Sequence, residues 1–87
     1  MNYIKDEKPD IIYPANWSYK VIGLTRNSVE SAVLSLLEGR KHTLSNSNKS
    51  SGGKYISLNL SLIVRTEEER VSLFKNLANH PDIKMVI

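Results

Sequence analysis

The sequence predicts one α+β domain: a four-stranded antiparallel sheet with two helices on one of its faces, in the order β-α-β-β-α-β. Three observations predict it. At 87 residues the chain has room for a single domain. Two segments carry apolar residues at helical spacing, and each lies between segments whose apolar residues alternate with period two. Between the two halves, a run rich in Asn, Ser and Gly marks a chain reversal.

Residues 1–14 are polar until Ile11-Ile12-Tyr13, which sits between Pro9 and Pro14. Proline removes a backbone donor and restrains its predecessor, so an extended arm is expected, its apolar end packed on a domain spanning 15–87. In the segment from Trp17 to Leu24, Trp17, Tyr19 and Val21 form one strand face; Ser18, Lys20 and Ile22 form the other. A helix follows, with Asn27 or Ser28 able to cap it. Val29, Ala32, Val33, Leu36 and Leu37 supply its apolar stripe, and Gly39 is placed to end it in a left-handed conformation. Residues 42–47 form a weak strand whose one strongly apolar residue, Leu44, suits a sheet edge.

Residues 48–54 are turn chemistry and lead into the best strand, 55–64, where Ile56, Leu58, Leu60 and Leu62 alternate with Ser57, Asn59 and Ser61. Thr66-Glu67-Glu68-Glu69 is a capping box opening a helix expected to carry Val71, Phe74, Leu77 and Ala78 inward. Asn79-His80-Pro81-Asp82 ends it, and 83–87 makes a last short strand. Right-handed crossovers then place the first and third strands centrally, which is the ferredoxin-like arrangement.

Composition excludes several chemistries. Without cysteine there is no disulfide framework, thiolate zinc site, iron–sulfur cluster or thiol nucleophile. The start lacks an apolar signal region, and no run approaches the roughly 18 apolar residues of a membrane span. A soluble, cytoplasmic protein with no membrane partner is expected. Twelve basic against nine acidic residues give +3. Lys20, Arg26, Arg40, Lys49, Lys54, Arg65, Lys75 and Lys84 are spread along the chain, whereas a nucleic-acid binder gathers its charge. Only Arg40-Lys41-His42 is dense. It follows a helix, where cations oppose the C-terminal dipole, and that reading outweighs phosphate recognition.

His42 and His80 stand alone, and the Glu67-Glu68-Glu69 run complements the positive end of its helix, so no metal site or cofactor is expected. Ser51-Gly52-Gly53-Lys54 lacks the first glycine and the final hydroxyl of a phosphate loop and reads as a hairpin tip. Neither Lys49 nor Lys54 is bracketed as a carrier lysine, and no serine and histidine are placed in sequence to suggest a nucleophile. No catalytic residue is assigned.

Two surfaces remain. The turn Gly23-Leu24-Thr25-Arg26-Asn27-Ser28 joins helix-N-terminal amides to a glycine and an arginine, a combination that can hold a carboxylate or phosphate. The plainer alternative is that Gly23 relieves crowding and Arg26 is solvated. The sheet face away from the helices carries Ser18, Lys20, Ile22, Ser57, Asn59 and Ser61, polar enough for water and weak partner contacts through Lys20, Ser57 and Asn59. RNA-recognition sheets expose aromatics there, but Trp17 and Tyr19 point to the helix side, which argues against nucleic acid.

Tyr13-Pro14, Trp17-Ser18-Tyr19-Lys20-Val21-Ile22-Gly23, Ser50-Ser51-Gly52-Gly53-Lys54-Tyr55 and Asp82-Ile83-Lys84-Met85-Val86-Ile87 together resemble the YbeD-like family of small bacterial proteins. The similarity runs from Ile11 to the end. It implies a ferredoxin-like fold akin to the ACT regulatory domain, which binds small effectors such as amino acids and pairs edge to edge. Family labels add a lipoate-binding regulatory role. By that resemblance Gly23, Thr25, Arg26 and Asn27 are candidate contacts for a small carboxylate ligand, and a homodimer is implied; no catalytic residues are. The expectation is a non-enzymatic regulatory or binding protein for a small carboxylate such as lipoate or an amino acid. The alternatives are a protein adaptor using the sheet face or an edge strand and, more weakly, nucleic-acid binding.

Overall fold

A computed structural model describes residues 11–47 and 53–87. Its elements are β1 (Ala15–Gly23), α1 (Arg26–Leu37), β2 (Thr43–Asn46), β3 (Ile56–Val64), α2 (Glu67–Asn79) and β4 (Met85–Val86). The four strands form one antiparallel sheet in the order β2-β3-β1-β4, with β1 and β3 central as expected. Positions 1–10 of the arm and 48–52 of the turn lie outside the described residues.

Alternation decides the layers. Tyr19 and Val21 of β1 and Leu58, Leu60, Leu62 and Val64 of β3 point to one side and are buried against Val29, Ala32, Val33 and Leu37 of α1 and Leu73 and Leu77 of α2. Trp17 packs on the same cluster, half-buried. The opposite face carries Ser18, Lys20, Asn59 and Ser61, and the Ser18 and Ser61 hydroxyls meet at 2.9 Å. Ile83 and Val86 close the core at the β4 edge. Backbone bonds join Lys84 to Ile22 and Ile87 to Lys20, so pairing extends beyond the two residues of β4 itself.

Three local expectations are corrected. Thr25, not Asn27 or Ser28, caps α1: its backbone is extended and its Oγ1 accepts from Ser28 N. At the other end Glu38 takes the left-handed conformation (φ 52°) before Gly39 does (φ 82°), so two residues turn the chain. The third correction concerns α2. Leu77 is buried as read, but Val71 is half-buried, Phe74 is 41% exposed and Ala78 faces solvent, while Leu73 is inside. The inner face of α2 is rotated by roughly one residue, 100°.

The rotation has a polar cause. The Tyr19 hydroxyl, buried among the sheet's inner side chains, donates to the Arg70 carbonyl at 2.7 Å. The Arg70 guanidinium lies 4.8 Å over the Trp17 ring and donates from Nε to the Tyr13 hydroxyl at 3.1 Å. A charge over an indole face and a satisfied phenol are each worth about 1 kcal/mol. Together they turn position 70 toward the sheet, and 73 and 77 follow. Burial also pushes the Tyr19 phenol up, with Arg70 partly opposing it.

Candidate functional site

In the turn after β1, Gly23 is buried where an added Cβ would lie 2.5 Å from Val29 Cγ2 and 2.9 Å from the Asp82 carbonyl. The missing side chain there is space filled by neighbours. Thr25 is occupied with the cap. Arg26 donates to Glu30 Oε2 at 2.6 Å and to the Asn46 side chain, tying the start of α1 to the end of β2. Asn27 is exposed. The four residues are neighbours, and two of them spend their polar groups on the fold. On the open sheet face, Lys20 and Asn59 are directly opposite across β1 and β3, and Ser57 opposes Ile22. Ile22 in turn opposes Met85, and Met85 and Ile87 are 54% and 67% exposed, so this face is apolar at its β4 corner.

The opposite corner is basic. A groove of about 380 Å³ is lined by Asn16, Arg40, Lys41, His42, Thr43, Ser61, Leu62, Ile63 and Arg65. The register explains the gathering. Thr43 pairs with Ser61 and Asn16 with Ile63, so the residues just before β2 and just after β3 must converge at one end of the ladder. Arg40-Lys41-His42 and Arg65, far apart in sequence, become one patch with no acidic residue in its lining. The reading of Arg40-Lys41-His42 as a cap on α1 holds for the backbone, since Arg40 N donates to the Leu37 carbonyl at 3.0 Å, but not for the Arg40 side chain. Arg40 turns away from that helix, donates through Nη1 to Glu69 Oε2 at 2.6 Å and through Nη2 to the Ile63 carbonyl. His42 Nδ1 sits 2.7 Å from the Arg40 carbonyl. Lys41 and Arg65 are exposed and make no salt bridge among the described residues. Asn16, Thr43 and Arg65 were missed as site residues. The signal was available: in an antiparallel hairpin, residues flanking its open ends are neighbours.

Glu69 is the anchor beneath this patch. Thr66 Oγ1 accepts from Glu69 N, but the returning carboxylate takes Arg65 N at 2.6 Å and Arg40, not the cap residue's own amide. The Arg40 hydrogen bond, then that of Arg65 N, holds the Glu69 carboxyl below the usual glutamate range, and the same pairing raises Arg40. Because the folded value is depressed, the stabilisation is full above the ordinary glutamate value of about 4.3 and disappears as pH falls through the lower folded value. Glu69→Gln is expected to lower stability by about 1 kcal/mol at pH 7 and by much less near pH 3. Urea titrations at both pH values check this; a pH-independent difference would contradict the pairing.

His80 Nδ1 accepts from Asp82 N at 3.0 Å, closing the turn after α2. Among the described residues, no three His, Cys, Asp or Glu are grouped to hold a metal, and no helix is long and apolar enough to cross a membrane.

Fold and groove together define a small ferredoxin-like α+β sandwich with an exposed sheet face that is basic at one corner. Compared with known proteins, the chain belongs to the family described as "Protein of unknown function (DUF493)", whose model matches residues 8–87. This agrees with the YbeD-like resemblance. It is 39% identical over 74 residues to an uncharacterized protein of Helicobacter pylori strain J99, covering 83% of this chain and 84% of the other. A UPF0250 protein of Hahella chejuensis is 29% identical over 85 residues, with 93% of each chain covered. The solution structure of protein HP0495 from H. pylori superposes with a TM-score of 0.75 at 29% identity, over 93% of this chain and 89% of that one. The family and the fold are thus established, and the family carries no assigned activity.

Proposed function

We propose that the protein is a non-enzymatic binding module that holds the carboxylate of a small ligand in the basic groove between the start of β2 and the end of β3. The observation that carries this reading is the groove's lining: Arg40, Lys41, His42 and Arg65 with the polar side chains of Asn16, Thr43 and Ser61. Lys41 and Arg65 supply charge that no salt bridge among the described residues takes up, while Arg40, locked to Glu69, supplies a fixed rim. Charge-assisted hydrogen bonds from such donors are about twice as strong as neutral ones. Support for a non-enzymatic role comes from the histidines, each tied to a local backbone group on a separate segment. The ACT-like resemblance adds a regulatory role, with lipoate or an amino acid as the effector.

Calorimetry with lipoate, octanoate, glycine and inorganic phosphate tests the site. Lys41→Ala combined with Arg65→Ala is expected to weaken carboxylate binding at least about tenfold, some 1.4 kcal/mol, while Arg26→Ala leaves it unchanged. The reverse pattern would move the ligand to the turn after β1. No heat from any carboxylate at millimolar concentration would remove the ligand reading, and phosphate binding alone would change the ligand's class.

A further inference from the structure

We propose that the outer edge of β2, which pairs with no other strand among the described residues, is a docking strand for an extended acidic segment of a partner protein, a reading that rests on the anion-binding role of the adjoining groove. The backbone supplies the first half of the argument. Ser47 N donates to the Ser57 carbonyl, which makes 47 and 57 a hydrogen-bonded pair. In an antiparallel ladder such pairs alternate, so Ser45 with Asn59 and Thr43 with Ser61 also bond across to β3. The N–H and C=O groups of Leu44 and Asn46 therefore point away from β3, toward the side where the sheet ends. Both edges of β3 and both edges of β1 are spent on neighbours, and at the far end of the sheet β4 presents a short segment that carries none of the groove's cations. An incoming strand can satisfy the β2 groups one by one.

Side chains supply the second half and select the partner. Lys41 and Thr43 lie on the open sheet face, at the junction of this edge and the basic groove. Leu44 points the other way, half-buried on the core. A strand laid beside β2 would place alternate side chains next to Lys41 and Thr43 on one face and next to Leu44 on the other. The complementary sequence alternates acidic and apolar residues. An edge of four residues is too short to hold an arbitrary strand, so the adjacent charge decides which one stays. A nucleic acid would use the cations but leave the backbone edge unpaired.

The test is a titration of the ¹⁵N-labelled full chain with a synthetic peptide, about ten residues long, alternating Glu and Val. Amide resonances of Leu44 and Asn46 are expected to shift and their hydrogen exchange to slow. A Lys–Val peptide, and a Glu–Val peptide N-methylated at alternate residues, should each bind at least about tenfold more weakly. Undiminished binding of the N-methylated peptide would overturn strand addition. So would oligothymidylate binding that shifts only Lys41 and Arg65 while the Glu–Val peptide does nothing. Small carboxylates bound in the groove without any peptide response would sink this inference and leave the groove's role standing; silence from both ligands would remove the groove itself.

Discussion

Replacing Gly23 by alanine is expected to destabilise the protein by about 2 kcal/mol, at the upper-middle of what one added methyl does in a packed interior. The methyl would arrive 2.5 Å from Val29 Cγ2 and 2.9 Å from the Asp82 carbonyl oxygen. Neither obstacle yields easily. Val29 is fully buried in α1, where a valine has essentially one side-chain rotamer. The carbonyl is backbone, in the turn that feeds β4. Alanine also narrows the unfolded ensemble, which returns about 0.5 kcal/mol and is already counted in the figure. Urea unfolding followed by circular dichroism measures the loss. The double variant Gly23→Ala with Val29→Ala should show less damage than the sum of the two single changes, because one clash is gone. Strict additivity, or a single-variant loss below about 0.5 kcal/mol, would mean that the turn opens freely.

That outcome bears on how the first turn is read. Sequence alone placed a glycine, a threonine and an arginine at a helix start, and such a set fits an anion cradle as well as it fits a packed corner. Spacing cannot tell the two apart. What separates them is where Val29 and Asp82 come to rest, and Asp82 approaches only once β4 has paired with β1. The same limit applies to charge. Arg40-Lys41-His42 is visible as a local run, but its neighbours are fixed by the β2–β3 register, which carries Arg65 to the same corner. The strands themselves were legible because alternation survives without tertiary information: of the inward positions read in β3, Leu58, Leu60 and Leu62 are buried and Ile56, at the strand's start, is half-buried against the same core. The first helix was legible for a similar reason, its stripe being unambiguous. Its cap was not, since Thr25, Asn27 and Ser28 are all good capping residues and only the backbone selects one.

The second helix is where a local pattern misleads, and Leu73→Ala against Phe74→Ala makes the point measurable. By spacing alone, Val71, Phe74 and Ala78 continue a stripe through Leu77, and Leu73 belongs to the flank. In the fold Leu73 is 8% exposed and Phe74 41%. Leu73→Ala is therefore expected to lose about 2–3 kcal/mol, and Phe74→Ala less than about 1 kcal/mol despite its larger side chain. The physical ground is a competition between two rotations of one amphipathic helix. Turning Phe74 inward would bury more apolar area, worth about 25 cal/mol per Å². It would also pull Arg70 off the Trp17 ring and strand the Tyr19 hydroxyl in the core without the Arg70 carbonyl. A buried hydroxyl left unpaired costs about 1–3 kcal/mol, enough to set the phase of a helix whose apolar faces are nearly balanced. Chemical denaturation of the two variants decides it: if Phe74→Ala proves the more damaging, the helix sits as the spacing suggested and the Tyr19–Arg70 contact does not govern it.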